Sequence, residues 1–259
     1  MQKTNKKIYR AKKSLGQNFL KSESALRKIV EAGEIKPDDI ILEIGPGKGA
    51  LTEKLLEKAG LVIAVEKDLE LFEFLKIKFA EQIESRSLVL VHEDILEFSV
   101  ESYKVKSYKV IANIPYNITG AILKKFLTAE HQPTLMVLMV QHEVARRIVA
   151  GDDKESILSL SVKTYGEPKI ILKVPKRYFS PAPKVDSAII EIKNISREFF
   201  SKNNLNEEKF WQIVKTGFAH KRKKLSSNLK MYKNVIEVGK LGDKRAEDLT
   251  LSDWLRLAR

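Results

Sequence analysis

Apolar residues in this chain fall into two kinds of run, and the two alternate. Residues 41–44, 61–65, 88–91, 108–112 and 134–140 are short, largely apolar stretches of the kind that sit in a sheet covered on both faces. Between them the apolar residues recur at helical spacing. Ala25, Leu26, Ile29 and Val30 mark one helix, Leu51, Leu55 and Leu56 a second, Leu69, Phe72, Leu75 and Phe79 a third, and residues 119–127 a fourth. Strands alternating with helices predict an α/β fold around a mostly parallel sheet. Residues 156–165 and 169–174 read as two further strands, separated by Gly166-Glu167-Pro168. With residues 185–192 they complete the sheet with an antiparallel edge hairpin. After about residue 195 only short helical patterns remain, at 207–216, around Leu225 and Leu229, and at 249–257, with a turn at Gly239, Gly242 and Asp243. The expected division is 1–194 and 195–259. The second unit is too small to bury a full core without its neighbour.

The first strand ends in Gly45-Pro46-Gly47-Lys48-Gly49 and a helix pattern follows at once. Glycines at a strand-to-helix turn let a ligand approach the backbone and tolerate φ values other residues avoid. The spacing G-x-G-x-G is neither the dinucleotide fingerprint nor a P-loop, since Lys48 precedes Gly49 where a P-loop needs serine or threonine. The second strand closes on Glu66, about 20 residues beyond the glycines, where an open sheet offers a carboxylate to a ribose diol. NAD and other adenosine cofactors both satisfy that spacing. Ligands bind beyond the carboxyl ends of such strands, so Gly45, Glu66, Asp94 and Asn113 are expected to converge on one crevice.

Charge narrows the partner. Lys+Arg of 47 against Asp+Glu of 34 give +13 and a pI near 9.6, an attraction to nucleic acid or to an acidic membrane surface. The absence of a strongly amphipathic terminal helix disfavours the membrane. Residues 1–13 read as a basic arm carrying Lys3, Lys6, Lys7, Arg10, Lys12 and Lys13, and Lys221-Arg222-Lys223-Lys224 form a second basic run, for which a solvated helix face is the bland alternative to phosphate contact. There is no cysteine, no signal-like segment and no apolar stretch of about 18 residues, so the cytoplasm is the expected compartment. His142 heads no H-E-x-x-H, and no metal site is expected.

Gln17-Asn18-Phe19-Leu20, Glu43-Ile44-Gly45-Pro46-Gly47-Lys48-Gly49, Asn113-Ile114-Pro115-Tyr116-Asn117-Ile118 and the stretch from Phe179-Ser180-Pro181 to Val185-Asp186-Ser187 resemble, in order, the motifs of the ribosomal RNA adenine N6,N6-dimethyltransferases. The resemblance covers nearly the whole chain. It implies a Rossmann-like class I methyltransferase fold with a C-terminal helical RNA-binding domain, S-adenosylmethionine as cofactor, and two adjacent adenosines near the 3′ end of 16S rRNA as substrate. By the same resemblance Asn18 and Leu20 meet the methionine end of the cofactor, Asp94 meets the amino group of its adenine, and Gly45, Gly47, Glu66, Lys67 and Ile95 also belong to its site. Phe179 lies beside the target-base pocket, and Lys221, Arg222, Lys223 and Lys224 grip RNA. The family commonly has lysine where His142 stands. A large-subunit adenine methyltransferase of the macrolide-resistance type shares two of the motifs but more often has serine at the position of Pro46. A DNA adenine methyltransferase would need a recognition domain not evident here. A noncatalytic RNA-binding or assembly factor is the reading from a different class. A monomer acting late in small-subunit assembly is expected.

The chemistry expected of Asn113-Ile114-Pro115-Tyr116 follows from the substrate. Adenine N6 is a poor nucleophile because its lone pair is delocalised into the ring, so a site must aim the amino group and accept its hydrogens. The Asn113 side-chain oxygen is one acceptor and the Ile114 carbonyl another, with Pro115 restricting Ile114 to an extended conformation. Tyr116 offers a face on which an unstacked base rests, a task for which phenylalanine would keep the ring. Asn113 also borders the cofactor. No strong base is needed, since attack on the sulfonium leaves positive charge on the amino nitrogen and makes its proton acidic.

Overall fold

The computed structural model describes residues 11–12, 15–232 and 239–259. Of the basic residues of the N-terminal arm only Lys12 falls within them. The chain runs β1 (Phe19–Leu20), α1 (Glu23–Ala32), β2 (Ile40–Ile44), α2 (Ala50–Leu56), β3 (Leu61–Glu66), α3 (Leu69–Lys78), α4 (Ala80–Glu84), β4 (Leu88–His92), β5 (Lys109–Asn113), α5 (Thr119–Leu127) and β6 (Leu135–Gln141). It continues through α6 (His142–Val149), α7 (Ile157–Lys163), β7 (Glu167–Val174), β8 (Phe179–Ser180), β9 (Ser187–Lys193), α8 (Glu198–Lys202), α9 (Glu207–Gly217), α10 (Leu225–Asn228) and α11 (Leu251–Ala258).

Seven strands form one sheet in the order β4-β3-β2-β5-β6-β9-β7. The first five are parallel, and β9 lies antiparallel between β6 and β7, which gives the expected edge hairpin. Successive strand residues face opposite layers. Ile41, Ile111, Val137 and Met139 face α1 to α3, whereas Leu42, Val110, Ala112 and Leu138 face α5 to α7. That double burial is why these strands read as apolar runs.

Two sequence expectations need correction. Residues 157–163 are helical, although Leu158, Leu160 and Val162 alternate with serines and lysine as in a strand. A reciprocal capping box decides it: Ser156 accepts from the Ser159 N–H while the Ser159 side chain accepts from the Ser156 N–H. The expected helix over 69–80 is broken at Phe79, whose backbone (φ −111°, ψ 30°) leaves the helical region between α3 and α4. The Phe79 ring lies against Gly49, where any Cβ would come within 2.5 Å of it, and Gly49 itself has φ +78°. The third glycine of the turn is therefore fixed by packing and backbone together.

The C-terminal helices share a continuous core with the α5–α7 face of the sheet, which includes Phe200, Phe210, Leu225 and Trp254. Tyr165 stacks on Trp211 at 6.5 Å between centroids and donates to Glu207 at 2.5 Å, and Arg197 also pairs with Glu207. Residues 221–224 lie in the turn between α9 and α10, not on a helix, with all four side chains exposed and Lys224 paired to Asp243 at 2.8 Å.

Candidate active site

At the carboxyl ends of β2, β3 and β5 lies a cavity of about 710 Å³. Gly45 follows β2, Glu66 ends β3, Asp94 follows β4 and Asn113 ends β5, and all four line it. Asn18, Leu20, Gly47, Lys67, Ile95, Ile114, Pro115 and Tyr116 line it as well.

Each wall has a local cause. Gly45 and Gly47 both have positive φ, and a Cβ on Gly47 would come within 3.0 Å of the Phe19 ring. The turn can thus pass directly beneath the N-terminal segment. That segment is held by β1, which pairs antiparallel with β8, Phe19 opposite Ser180 and Leu20 opposite Phe179. The first and last of the sequence motifs therefore meet as two strands. Phe179 is buried behind this pairing and does not line the cavity, whereas its neighbour Ser180 does.

The Glu66 carboxylate accepts from the Gly47 N–H at 3.1 Å and the Asp68 N–H at 2.9 Å. Burial raises its pKa, and these backbone donors offset part of that. The carboxylate keeps acceptor capacity for a ribose hydroxyl. Asp94 is held the other way. The Lys67 ammonium at 2.6 Å keeps its carboxylate below the usual range, helped by the Leu96 N–H at 3.0 Å. Two of the residues expected at the cofactor, Lys67 and Asp94, are thus one ion pair, and Asp94 keeps acceptor capacity for an exocyclic amine. The cavity volume, the carboxylate at the strand end and the side-chain-free turn fit an adenosine cofactor.

Asn113 donates its Nδ2 to the Asn18 carbonyl at 3.2 Å, and Asn18 donates its own side-chain nitrogen to the Gly16 carbonyl at 3.0 Å. The Asn113 amide is thereby oriented, with no partner to its Oδ1 among these bonds. Pro115 is extended (φ −61°, ψ 132°), and Tyr116 opens a short 3₁₀ turn with its ring half-buried. Its hydroxyl bonds Ser187 Oγ at 2.6 Å. Lys221, Arg222, Lys223 and Lys224 do not line the cavity.

Sequence reading passed over two groups. Glu43 is 1% exposed, lines the cavity and accepts from Thr52 Oγ1 at 2.7 Å, and burial raises its pKa to about 8. Asp68 caps α3 and receives both Lys12 Nζ at 2.7 Å and Gln17 Nε2 at 2.8 Å, fastening the N-terminal segment beside the cavity. Glu43 stands in a quoted motif, which marked it without giving a role. The Gln17–Asp68 pair had no signal short of three-dimensional proximity. Among the described residues no cluster of His, Cys, Asp and Glu is arranged for a metal, and no helix is long and apolar enough to cross a membrane.

Comparison with known proteins gives these observations a context. The family model for ribosomal RNA adenine dimethylase matches residues 8–258. Ribosomal RNA small subunit methyltransferase A of Dehalococcoides mccartyi (strain CBDB1) is 41% identical over 259 residues, covering 96% of this chain and 87% of the relative. The protein of the same name from Fusobacterium nucleatum subsp. nucleatum is 38% identical and covers 97% of both. The crystal structure of a dimethyladenosine transferase from Plasmodium falciparum superposes with a TM-score of 0.79 at 28% identity, covering 92% of this chain and 95% of that one. That of the 23S rRNA methyltransferase ErmE gives 0.74 at 26%, covering 93% and 98%. The matched span takes in both the cavity and the C-terminal helices: this Rossmann-like chain belongs to the ribosomal RNA adenine dimethylase family, whose methyl donor is S-adenosylmethionine.

Proposed function

We propose that this protein dimethylates N6 of two adjacent adenosines near the 3′ end of 16S rRNA, in the cytoplasm, as a monomer and late in small-subunit assembly. The observation that carries the reading is the orientation of Asn113, whose amide nitrogen is tied to the Asn18 carbonyl while its oxygen is left to the cavity that also holds Glu66 and Asp94. Small-subunit relatives at 41% and 38% identity, against 26% for the large-subunit enzyme ErmE, favour 16S over 23S rRNA. Mass mapping of modified adenosines in both RNAs, after unmodified subunits meet protein and cofactor, tests it. Modification of 23S rRNA alone would overturn the choice.

In this reading the cofactor supplies an electrophilic sulfonium methyl. Glu66 and Lys67 hold its ribose end, Asp94 and Ile95 its adenine, Gly45 and Gly47 pass beneath it, and Asn18 and Leu20 close over its methionine end. The target adenine stacks on Tyr116 while Asn113 Oδ1 and the Ile114 carbonyl accept its amino hydrogens. The proton shed by the alkylated nitrogen leaves to solvent. The group at residue 179 backs the base pocket through Ser180. The helical segment 195–259 serves as the RNA-binding domain.

Two results follow from these assignments. Glu66→Ala removes a buried acceptor that also anchors the glycine turn, and cofactor affinity measured by calorimetry should weaken at least about tenfold. Undiminished affinity would remove Glu66 from the site. Replacing Lys221, Arg222, Lys223 and Lys224 together by glutamine should lower RNA affinity and flatten its salt dependence while sparing cofactor binding. Filter binding over a salt series reads this, and an unchanged slope would make the run ordinary solvated surface.

A further inference from the structure

Tyr116 is tethered at both ends. Its backbone is set by Pro115 and by Thr119 Oγ1, which donates to the Tyr116 carbonyl at 3.0 Å. Its hydroxyl meets Ser187 Oγ at 2.6 Å. Ser187 is fully buried and does not line the cavity, so it reaches the site only through the tyrosine. It is also held from both sides. As the first residue of β9 it pairs with Gln141 of β6 and Val174 of β7, and the backbone carbonyl of the preceding Asp186 accepts from the His142 N–H at 3.0 Å.

A tyrosine ring swings on its side-chain torsions, and anchoring the para oxygen to a strand held from both sides removes that freedom before substrate arrives. A flat platform needs this restraint, because a base stacked on a mobile ring carries its amino group out of line with the methyl. Ser187 has no other hydrogen-bonded side-chain partner among the described residues, and alanine there would leave the tyrosine hydroxyl half-buried and unpaired.

We propose that Ser187 is a positioning residue for methyl transfer: its hydroxyl fixes the para end of Tyr116, and so presets the ring as the platform for the target adenine. The inference rests on the assignment of Tyr116 as the stacking residue. It also revises the sequence-level expectation for residue 116, since phenylalanine would keep the ring but lose its anchor.

Single-turnover methyl transfer to unmodified small subunits tests it, with cofactor affinity, RNA affinity and thermal midpoint measured alongside. Ser187→Ala and Tyr116→Phe should each slow transfer about tenfold with both affinities unchanged. The double variant should be no slower than either single one, because both remove the same bond. Ser187→Thr, which keeps the hydroxyl, should transfer within about threefold of the parent. Transfer at the parental rate by Ser187→Ala, whatever its thermal midpoint, would make the residue purely structural and overturn the proposal. So would losses that multiply in the double variant, or a folded Ser187→Thr as slow as Ser187→Ala. Tyr116→Ala distinguishes the two levels: if it transfers normally, the stacking assignment itself fails and the inference with it, whereas a severe defect there beside a normal Ser187→Ala sinks only the inference.

Discussion

Asn113→Ala should slow single-turnover methyl transfer by about a hundredfold while leaving cofactor affinity within about twofold of the parent. The loss corresponds to about 2.7 kcal/mol of transition-state stabilisation, the scale found when one preorganised hydrogen-bonding group is removed from an active site. The geometry gives the reason. Asn113 ends β5 and spends its amide nitrogen on the Asn18 carbonyl, so its oxygen is presented in a fixed direction before any adenine enters. Alanine removes both the acceptor and a tie between β5 and the N-terminal segment. Cofactor calorimetry on the same preparation separates lost chemistry from a collapsed pocket. If the variant transfers methyl groups at the parental rate with its cofactor affinity intact, the Asn113-Ile114-Pro115-Tyr116 turn is not where the chemistry occurs.

Glu43→Gln should make the protein more stable than the parent above about pH 8, with the advantage shrinking as pH falls towards the ordinary carboxylate range. Glu43 is enclosed on β2 and its pKa is raised to about 8, chiefly by burial and secondarily by the Glu66 carboxylate, with Thr52 and Lys78 opposing. The sign follows from proton uptake. Between the two pKa values the folded state binds the proton more tightly than the unfolded state, so the contribution of this group is fully present at low pH. It is lost as pH rises from about 4.5 to about 8. Each unit in that window is worth about 1.4 kcal/mol, so the effect reaches several kcal/mol. Glutamine keeps the oxygen that accepts from Thr52 and cannot ionise. Denaturant unfolding of both proteins from pH 5 to 9 measures the difference, in which shared titrations such as that of Asp94 cancel. A difference that is flat with pH would mean that Glu43 is ionised in the folded protein throughout.

The parts of this molecule that could be read from the chain are those whose burial is continuous in sequence. β2 to β6 are covered on both faces, so their apolar runs announced them and the order of their carboxyl ends announced the crevice. Residues 157–163 misled because serines that cap and pack in a helix produce the same alternation as a half-exposed strand. β1 and β8 are two residues each, too short for any period, and only their motifs drew attention to them. The contacts that finish the site join distant residues: Tyr116 to Ser187, Gln17 to Asp68, Asn113 to Asn18. Nothing in the spacing of one partner indicates the other. Glu43 lay in plain view within the glycine motif, yet its protonation depends on an enclosure supplied by the folded core.

The pairing of β1 with β8 bears on the order in which the molecule acquires its function. It joins positions roughly 160 residues apart, a closure that costs more chain entropy than any neighbouring strand pair along the parallel half of the sheet. While the chain is being synthesised, the glycine turn, Glu66, Asp94 and Asn113 emerge long before β8. A chain that has not reached β8 thus has the carboxylates that line the cavity but not the strand that pairs with its N-terminal wall.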